Sequence, residues 1–367
     1  KPIWEYFPDS KDYKTQSEFS LFSLDFFAPL PSPGFSPRPF TVSLFYKIVL
    51  SDPYKMIFLQ KAVYSISVLA FIYSFLMYLS NRWVKLMTFY ILLYFFTWWN
   101  IVGWTENILS ESLSMSFMFL WFTVILYYYK KQSLFSFFIL VFITFLFSFT
   151  RDTWPYIILL FSLINLLLVK FNGKNLLKQS AIFLLFSVSV FFIQNYTASR
   201  GERYKLPVFN SIAERVSKKD EYLLWFKNEG MPLADKLKAD FKNINIDDEE
   251  NRQIVYSKYD DSEYKPLFNW ILKDGKKVYQ KFLLTHWSCF FLSDQDSEQK
   301  NRIFCSNLQG YTKKPEGFFL NADATFPYFS FLSCVIFITL ALVLILLKRD
   351  VIFLFPISLA ILFTANA

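Results

Sequence analysis

The stretch SLFSFFILVFITFLFSFTRDTWPYIILLFSLINLLLVK, residues 133–170, decides how this chain is read. Two apolar runs, 133–150 and 154–170, with Lys170 the single charge at their far end, flank a turn holding Arg151 and Asp152. Runs of roughly 16 to 23 apolar residues read as helices that cross a bilayer. Pro155 suits the first turn of the second helix, because a missing N–H costs nothing there. Working outward, the same pattern predicts eight spans: 57–79, 86–104, 111–129, 133–150, 154–170, 179–195, 327–347 and 350–366. Several are short for a hydrocarbon core of about 30 Å, which points to thin or partly protein-buried helices. Trp83, Trp98, Trp99, Trp104 and Trp154 fall near predicted ends, where amphipathic rings favour the headgroup zone.

The composition agrees. Of 367 residues, 54% are hydrophobic and 22% aromatic, including 47 Phe, far from a soluble average. The formal charge of +8 would suggest nucleic acid in a soluble protein, but its placement argues otherwise. One alternating set of loops carries Arg82 and Lys85, then Lys130 and Lys131, then Lys170, Lys174 and Lys178, then Lys348 and Arg349. That is the excess expected of cytoplasmic loops, so nucleic-acid binding is discounted. The other set carries Glu106 and Glu111, then Arg151 and Asp152, together with the long polar segments. The candidate chemistry is therefore expected on the extracytoplasmic side of an inner, or plasma, membrane.

Four regions follow. Residues 1–56 read as a first extracytoplasmic loop, Pro-rich over 29–39, with a membrane-lying helix over 41–50. Residues 57–195 hold six spans, 196–326 are long enough for a small α-rich outer domain, and 327–367 hold the last spans. Within the outer domain, 208–228 and 265–292 read as amphipathic helices and 279–291 as interfacial. The charged stretch 233–262 reads as helical with loops. Lys1 is not preceded by Met and Ala367 closes an apolar run, so both ends read as trimmed, with further spans or a signal anchor expected beyond them. Cys289 and Cys305 form either a disulfide, if their segment is outside, or two unpaired thiols.

The opening residues Phe7-Pro8-Asp9-Ser10-Lys11-Asp12-Tyr13, then Ser36-Pro37-Arg38-Pro39-Phe40, then Gln60 inside the first span, make a recognisable order. It resembles the first periplasmic loop of GT-C glycosyltransferases, the protein-mannosyltransferase-like superfamily that uses polyprenyl-phosphate sugars. Leu109-Ser110-Glu111-Ser112-Leu113 and Phe149-Thr150-Arg151-Asp152 are similar to later motifs of that family. Residues 210–232, with Arg215, and 279–286 add to the likeness. The resemblance implies an all-α polytopic bundle with a small outer domain, and it implies that Asp9 is the catalytic base or acceptor-positioning group.

The residues also argue for themselves. Sugar transfer from a lipid phosphate needs a base for the acceptor at the membrane surface, and a carboxylate in the first outer loop meets that need. Asp9 is that candidate, with Asp12 in reserve and Tyr13 beside them; the plain alternative for Asp9 is a helix cap or a solvated loop acid. Glu111 opens a span, where it either serves the site or offsets the helix dipole. Arg151 is the one basic residue of the short outer loops, and a guanidinium fork suits phosphate; the alternative is a local pair with Asp152. Arg38 can assist it or simply form a turn. His286, the single histidine, either contacts lipid phosphate or is structural, and its solitude removes most zinc chemistry. No phosphate-binding glycine loop appears, and with 8 Gly there is little room for one, so a cytoplasmic ATPase is excluded and nucleotide-sugar donors are not expected.

The expectation is thus a membrane glycosyltransferase that moves a sugar from a polyprenyl-phosphate donor to a lipid, glycan or protein acceptor by one displacement. No cofactor is required, although Mg²⁺ or Mn²⁺ between Asp9 and Glu111 is compatible with oxygen ligands. Its rivals are a lipid-linked glycan ligase or flippase, which would want charged residues within the spans, and a membrane scaffold whose outer domain binds a partner.

Overall fold

The computed structural model describes residues 8–32, 35–97, 102–106, 109–169, 174–241, 254–255, 257–259 and 261–286; within these a few side chains, those of Asp9 and Glu106 among them, lie outside the description. The expected spans at 327–347 and 350–366 and all three cysteines fall outside it. The described residues are mostly helical and contain no strand. Among the described residues three helices are long and apolar enough to cross a membrane: Pro53–Leu76, Ser110–Lys131 and Leu176–Arg200. The apolar helices Leu134–Ser148 and Trp154–Leu167 are shorter. Two compact units divide the chain, with Ala198–Gln295 forming the second.

In the first unit, six long helices follow one another: α4 (Pro53–Leu76), α5 (Arg82–Phe96), α6 (Ser110–Lys131), α7 (Leu134–Ser148), α8 (Trp154–Val169) and α9 (Lys174–Arg200). Helix α6 is central: 72% of its apolar window is buried, against 22% for Leu176–Arg200 at the rim. Side-chain hydrogen bonds fix the directions. The Gln60 amide reaches the Leu109 carbonyl at the start of α6, and the Tyr78 hydroxyl reaches Leu126 near its end, so α4 and α6 run parallel. Helix α7 returns beside α6, with Trp121 Nε1 donating to Thr144 Oγ1 at 2.9 Å. Helix α8 runs with α6, joined by Trp154 to Ser114 near one end and Tyr129 to Asn165 near the other. Helix α9 returns again, with Asn165 bonded to Ser180 early and Tyr156 to Asn195 late. The apolar residues that an all-round hydrophobic helix supplies thus close on one core led by Trp121, Phe71, Phe96 and Phe147.

The helix ends lie where caps place them. Asp52 accepts from the backbone of Tyr54 and Lys55, so α4 begins at Pro53 and not at the first apolar residue, 57. Asn81 accepts likewise from Trp83 and Val84, so α5 starts at Arg82 and takes Arg82 and Lys85 into its first turn. Helix α9 extends past the expected 179–195 at both ends because its flanking polar residues continue the turn.

The opening segment departs from expectation in part: the stretch expected as loop folds as α1 (Pro8–Glu18) and α2 (Leu24–Phe27), while the helix expected over 41–50 is present as α3 (Phe40–Ile48). The buried face of α1 is polar, built from Ser10, Asp12, Gln16 and Ser17 with Tyr13, so no apolar stripe announces it. Gln16 donates to the Phe26 carbonyl and accepts from the Arg38 backbone. Lys47 closes the C-terminal end of α1 by donating to Ser17 and Phe19 carbonyls, where a cation suits the helix dipole.

The second unit holds α10 (Lys205–Ser211), α11 (Asp220–Asn228), α12 (Ala234–Phe241), α13 (Lys265–Trp270) and α14 (Lys276–Thr285). The single helix expected over 208–228 is broken: a π turn at Ile212–Val216 and the polar residues Ser217, Lys218 and Lys219 separate α10 from α11. A second π turn, Ile271–Gly275, joins α13 to α14 without interruption. Their core is aromatic and separate, gathered round Phe209, Phe226, Tyr264 and Phe282.

Candidate functional site

One end of the six-helix assembly gathers most of the residues that look chemical. Glu111 stands in the first turn of α6, and Arg151 in the turn between α7 and α8. Because α6 and α7 run antiparallel, the 39 intervening residues fold back and bring Arg151 Nη2 to 3.5 Å from Glu111 Oε1. Both side chains are partly exposed, at 30% and 25%. Ser110 Oγ lies 3.3 Å from Glu111 Oε2, and Asp152 Oδ1 accepts from Gln194 Nε2 on α9. Sequence reasoning missed Gln194, although an amide within an apolar run is the kind of signal that marks an internal polar contact.

A second pair lies in the opening segment. Arg38 donates through Nε at 3.2 Å and Nη2 at 3.0 Å to Asp12 Oδ2, while the Ser36 backbone donates to Asp12 Oδ1. Asp12 is buried and its partners are a turn and a guanidinium, so its carboxylate is engaged in holding the segment together. The segment is in turn fastened to the Arg151 turn: the Thr41 backbone donates to the Phe149 carbonyl at 3.2 Å and its hydroxyl to Leu146 at 2.9 Å. Thus Asp12, Arg38, Glu111, Arg151 and Asp152 occupy the same end of the first unit. Arg82, Lys85, Lys130, Lys131 and Lys178 occupy the other.

Asp9 is the second residue of α1, one helical turn before Asp12; its side chain lies outside the described residues. Tyr13 is buried in the core beside the apolar helices. Beside the first turn of α6, Gln60 is fully buried with its Oε1 unbonded, and so is Ser112 Oγ. Buried polar atoms without partners cost free energy, and a site is one place where such a cost is tolerated.

His286 belongs to the second unit. It follows α14, stacks on Phe282 with ring centroids 4.6 Å apart, and meets Trp225 edge-on at 5.5 Å. Thr285 Oγ1 lies 2.8 Å from His286 Nδ1.

Among the described residues no three His, Cys, Asp or Glu side chains gather, and Glu111 faces a guanidinium; the Asp9 side chain of the expected Mg²⁺ or Mn²⁺ pair lies outside the description. No family model, curated protein or solved structure matches this chain.

Proposed function

We propose that this chain is an integral membrane glycosyltransferase of GT-C type, taking a sugar from a polyprenyl-phosphate donor at the end of the bundle that carries Arg151. The observation that carries this reading is the Glu111–Arg151 pair, partly exposed and presented by two helix ends. A guanidinium oriented by a carboxylate is a preformed partner for a lipid phosphate, because its planar fork matches two phosphate oxygens. Glu111 then positions Arg151 and does not take a proton. The lysine-rich opposite end supports a cytoplasmic placement there, so that the site opens outside.

In this mechanism the acceptor oxygen attacks the anomeric carbon, its proton passes to Asp9, and the bond from that carbon to the phosphate oxygen breaks. The polyprenyl phosphate leaves as an anion held by Arg151. One displacement inverts the anomeric centre. Asp12, tied to Arg38, anchors the helix that carries Asp9.

The test uses the full chain in membranes that contain its native acceptor, supplied with radiolabelled polyprenyl-phosphate sugar. Asp9→Asn is expected to lower transfer by about 10²- to 10⁴-fold while leaving polyprenyl-phosphate binding intact. Arg151→Ala is expected to weaken that binding by roughly 10-fold or more. Undiminished transfer by a folded Asp9→Asn variant would overturn the assignment.

A further inference from the structure

We infer that the continuous helical segment Lys265–Thr285 of the second unit docks on an anionic lipid surface through one lysine-lined face ending in Leu284. Lys265, Lys273 and Lys277 are all exposed, and among the described residues none of their side chains makes a hydrogen bond, an ion pair or a ring contact. Leu284, on the same side, is 78% exposed, a large apolar side chain left in solvent. Over 265–285 the sequence carries five lysines (265, 273, 276, 277, 281) and one acid, Asp274, a net of +4.

The π turn is what makes this a face. An α-helix repeats every 3.6 residues, so positions spaced by eight and then four drift steadily round its axis. The wider turn at Ile271–Gly275 absorbs the drift. It leaves Lys265, Lys273, Lys277 and Leu284 within one narrow stripe, opposite the buried Leu267, Ile271, Gly275 and Phe282. Gly275 is needed for it, since a Cβ there would lie 2.9 Å from the Trp270 ring.

The charges on the neighbouring elements leave the stripe positive. Lys281 is paired with Glu229, just past the end of α11, and Glu263 is taken by Lys236 of α12. A row of unpaired lysines beside an exposed leucine is the composition of a helix lying in the headgroup region, with the cations on lipid phosphates and the apolar tip below them. A lipid surface is also within reach. Ala198 opens the second unit within the last turn of Leu176–Arg200, one of the three helices apolar enough to cross a membrane. A purely acidic protein or glycan would explain the lysines and leave Leu284 unexplained.

The experiment places a single cysteine at position 284 of the full chain, with Cys289, Cys305 and Cys334 changed to Ser. An environment-sensitive fluorophore attached there is read in vesicles of phosphatidylcholine, with or without phosphatidylglycerol, using brominated lipid as quencher. Lipid quenching is expected only with phosphatidylglycerol and is expected to be lost when Lys265, Lys273 and Lys277 become Glu. Three lysines near the surface are worth on the order of a hundredfold in occupancy. A label at Asp235, whose side chain is 85% exposed on α12, is expected to stay unquenched. Absence of lipid quenching in both vesicle types overturns the inference. So does a blue-shifted label that lipid does not quench, which would mean contact with protein. Quenching that survives the triple substitution also overturns it. None of these outcomes bears on sugar transfer.

Discussion

Asp12 accepts three hydrogen bonds, two from one guanidinium and one from a backbone amide 24 residues away. With 10% of its side chain exposed, it is a buried charge whose partner cannot be removed cheaply. Arg38→Ala is expected to destabilise the first unit by about 2–4 kcal/mol, measured by thermal unfolding of the detergent-solubilised chain. Asp12→Asn should cost a similar amount, and the double variant less than the sum of the two. In the second unit, burial first and then the Asp240 carboxylate, to which its hydroxyl donates, hold Tyr264 above the ordinary tyrosine range. A folded-state value above the unfolded one means that the stabilisation is complete below about pH 10 and fades as pH rises beyond it. Lys236, raised by its hydrogen bond to Glu263, acts in the same direction. Melting curves between pH 8 and 11 should therefore fall more steeply for the native chain than for Tyr264→Phe. The identities of these residues were visible in the sequence, and their partners were not. Nothing local links Asp12 to Arg38 or Glu111 to Arg151, since both pairings come from the way helices fold back.

At the level of elements, apolar runs locate helices and polar caps end them. The runs at 133–150 and 154–170 match α7 and α8 closely because their flanks, Ser133 and the Arg151 turn, are also where hydropathy changes. Helix α4 starts earlier than its apolar run because Asp52 and Pro53 form a start signal that hydropathy alone overlooks. Asp52→Ala is expected to cost about 1 kcal/mol, seen as a lower melting temperature with the helical signal otherwise retained. Helix α1 was illegible for a different reason: its buried face bonds through Gln16 and Asp12 where a periodicity search wants hydrocarbon. The π turn at Ile271–Gly275 was likewise invisible, because one extra residue per turn leaves no compositional mark. Gly275→Ala is expected to destabilise the second unit by about 1–3 kcal/mol, since Trp270 and Ile271 already fill the space a methyl would need. Circular dichroism melts of the full chain, followed at 222 nm, check both substitutions.

For the whole molecule, the alternation of loop charges along the sequence becomes a separation in space. The ends of α4, α6 and α8 alternate with those of α5, α7 and α9, so every second connection lies at the same end. Lys130 and Lys131 fall at one end, while Glu111 and Arg151 meet at the other. That separation is what the lipid-phosphate proposal requires, because donor and acceptor must meet the Arg151 turn on a single side of the bilayer. Sidedness is therefore the measurement that decides most. Single cysteines at Thr153 and at Lys131, each in a chain with the three native cysteines changed to Ser, are treated in intact cells with a maleimide that cannot cross membranes. The account predicts that position 153 is labelled from outside and position 131 only after permeabilisation. Labelling of both positions from outside, or of 131 alone, would contradict it.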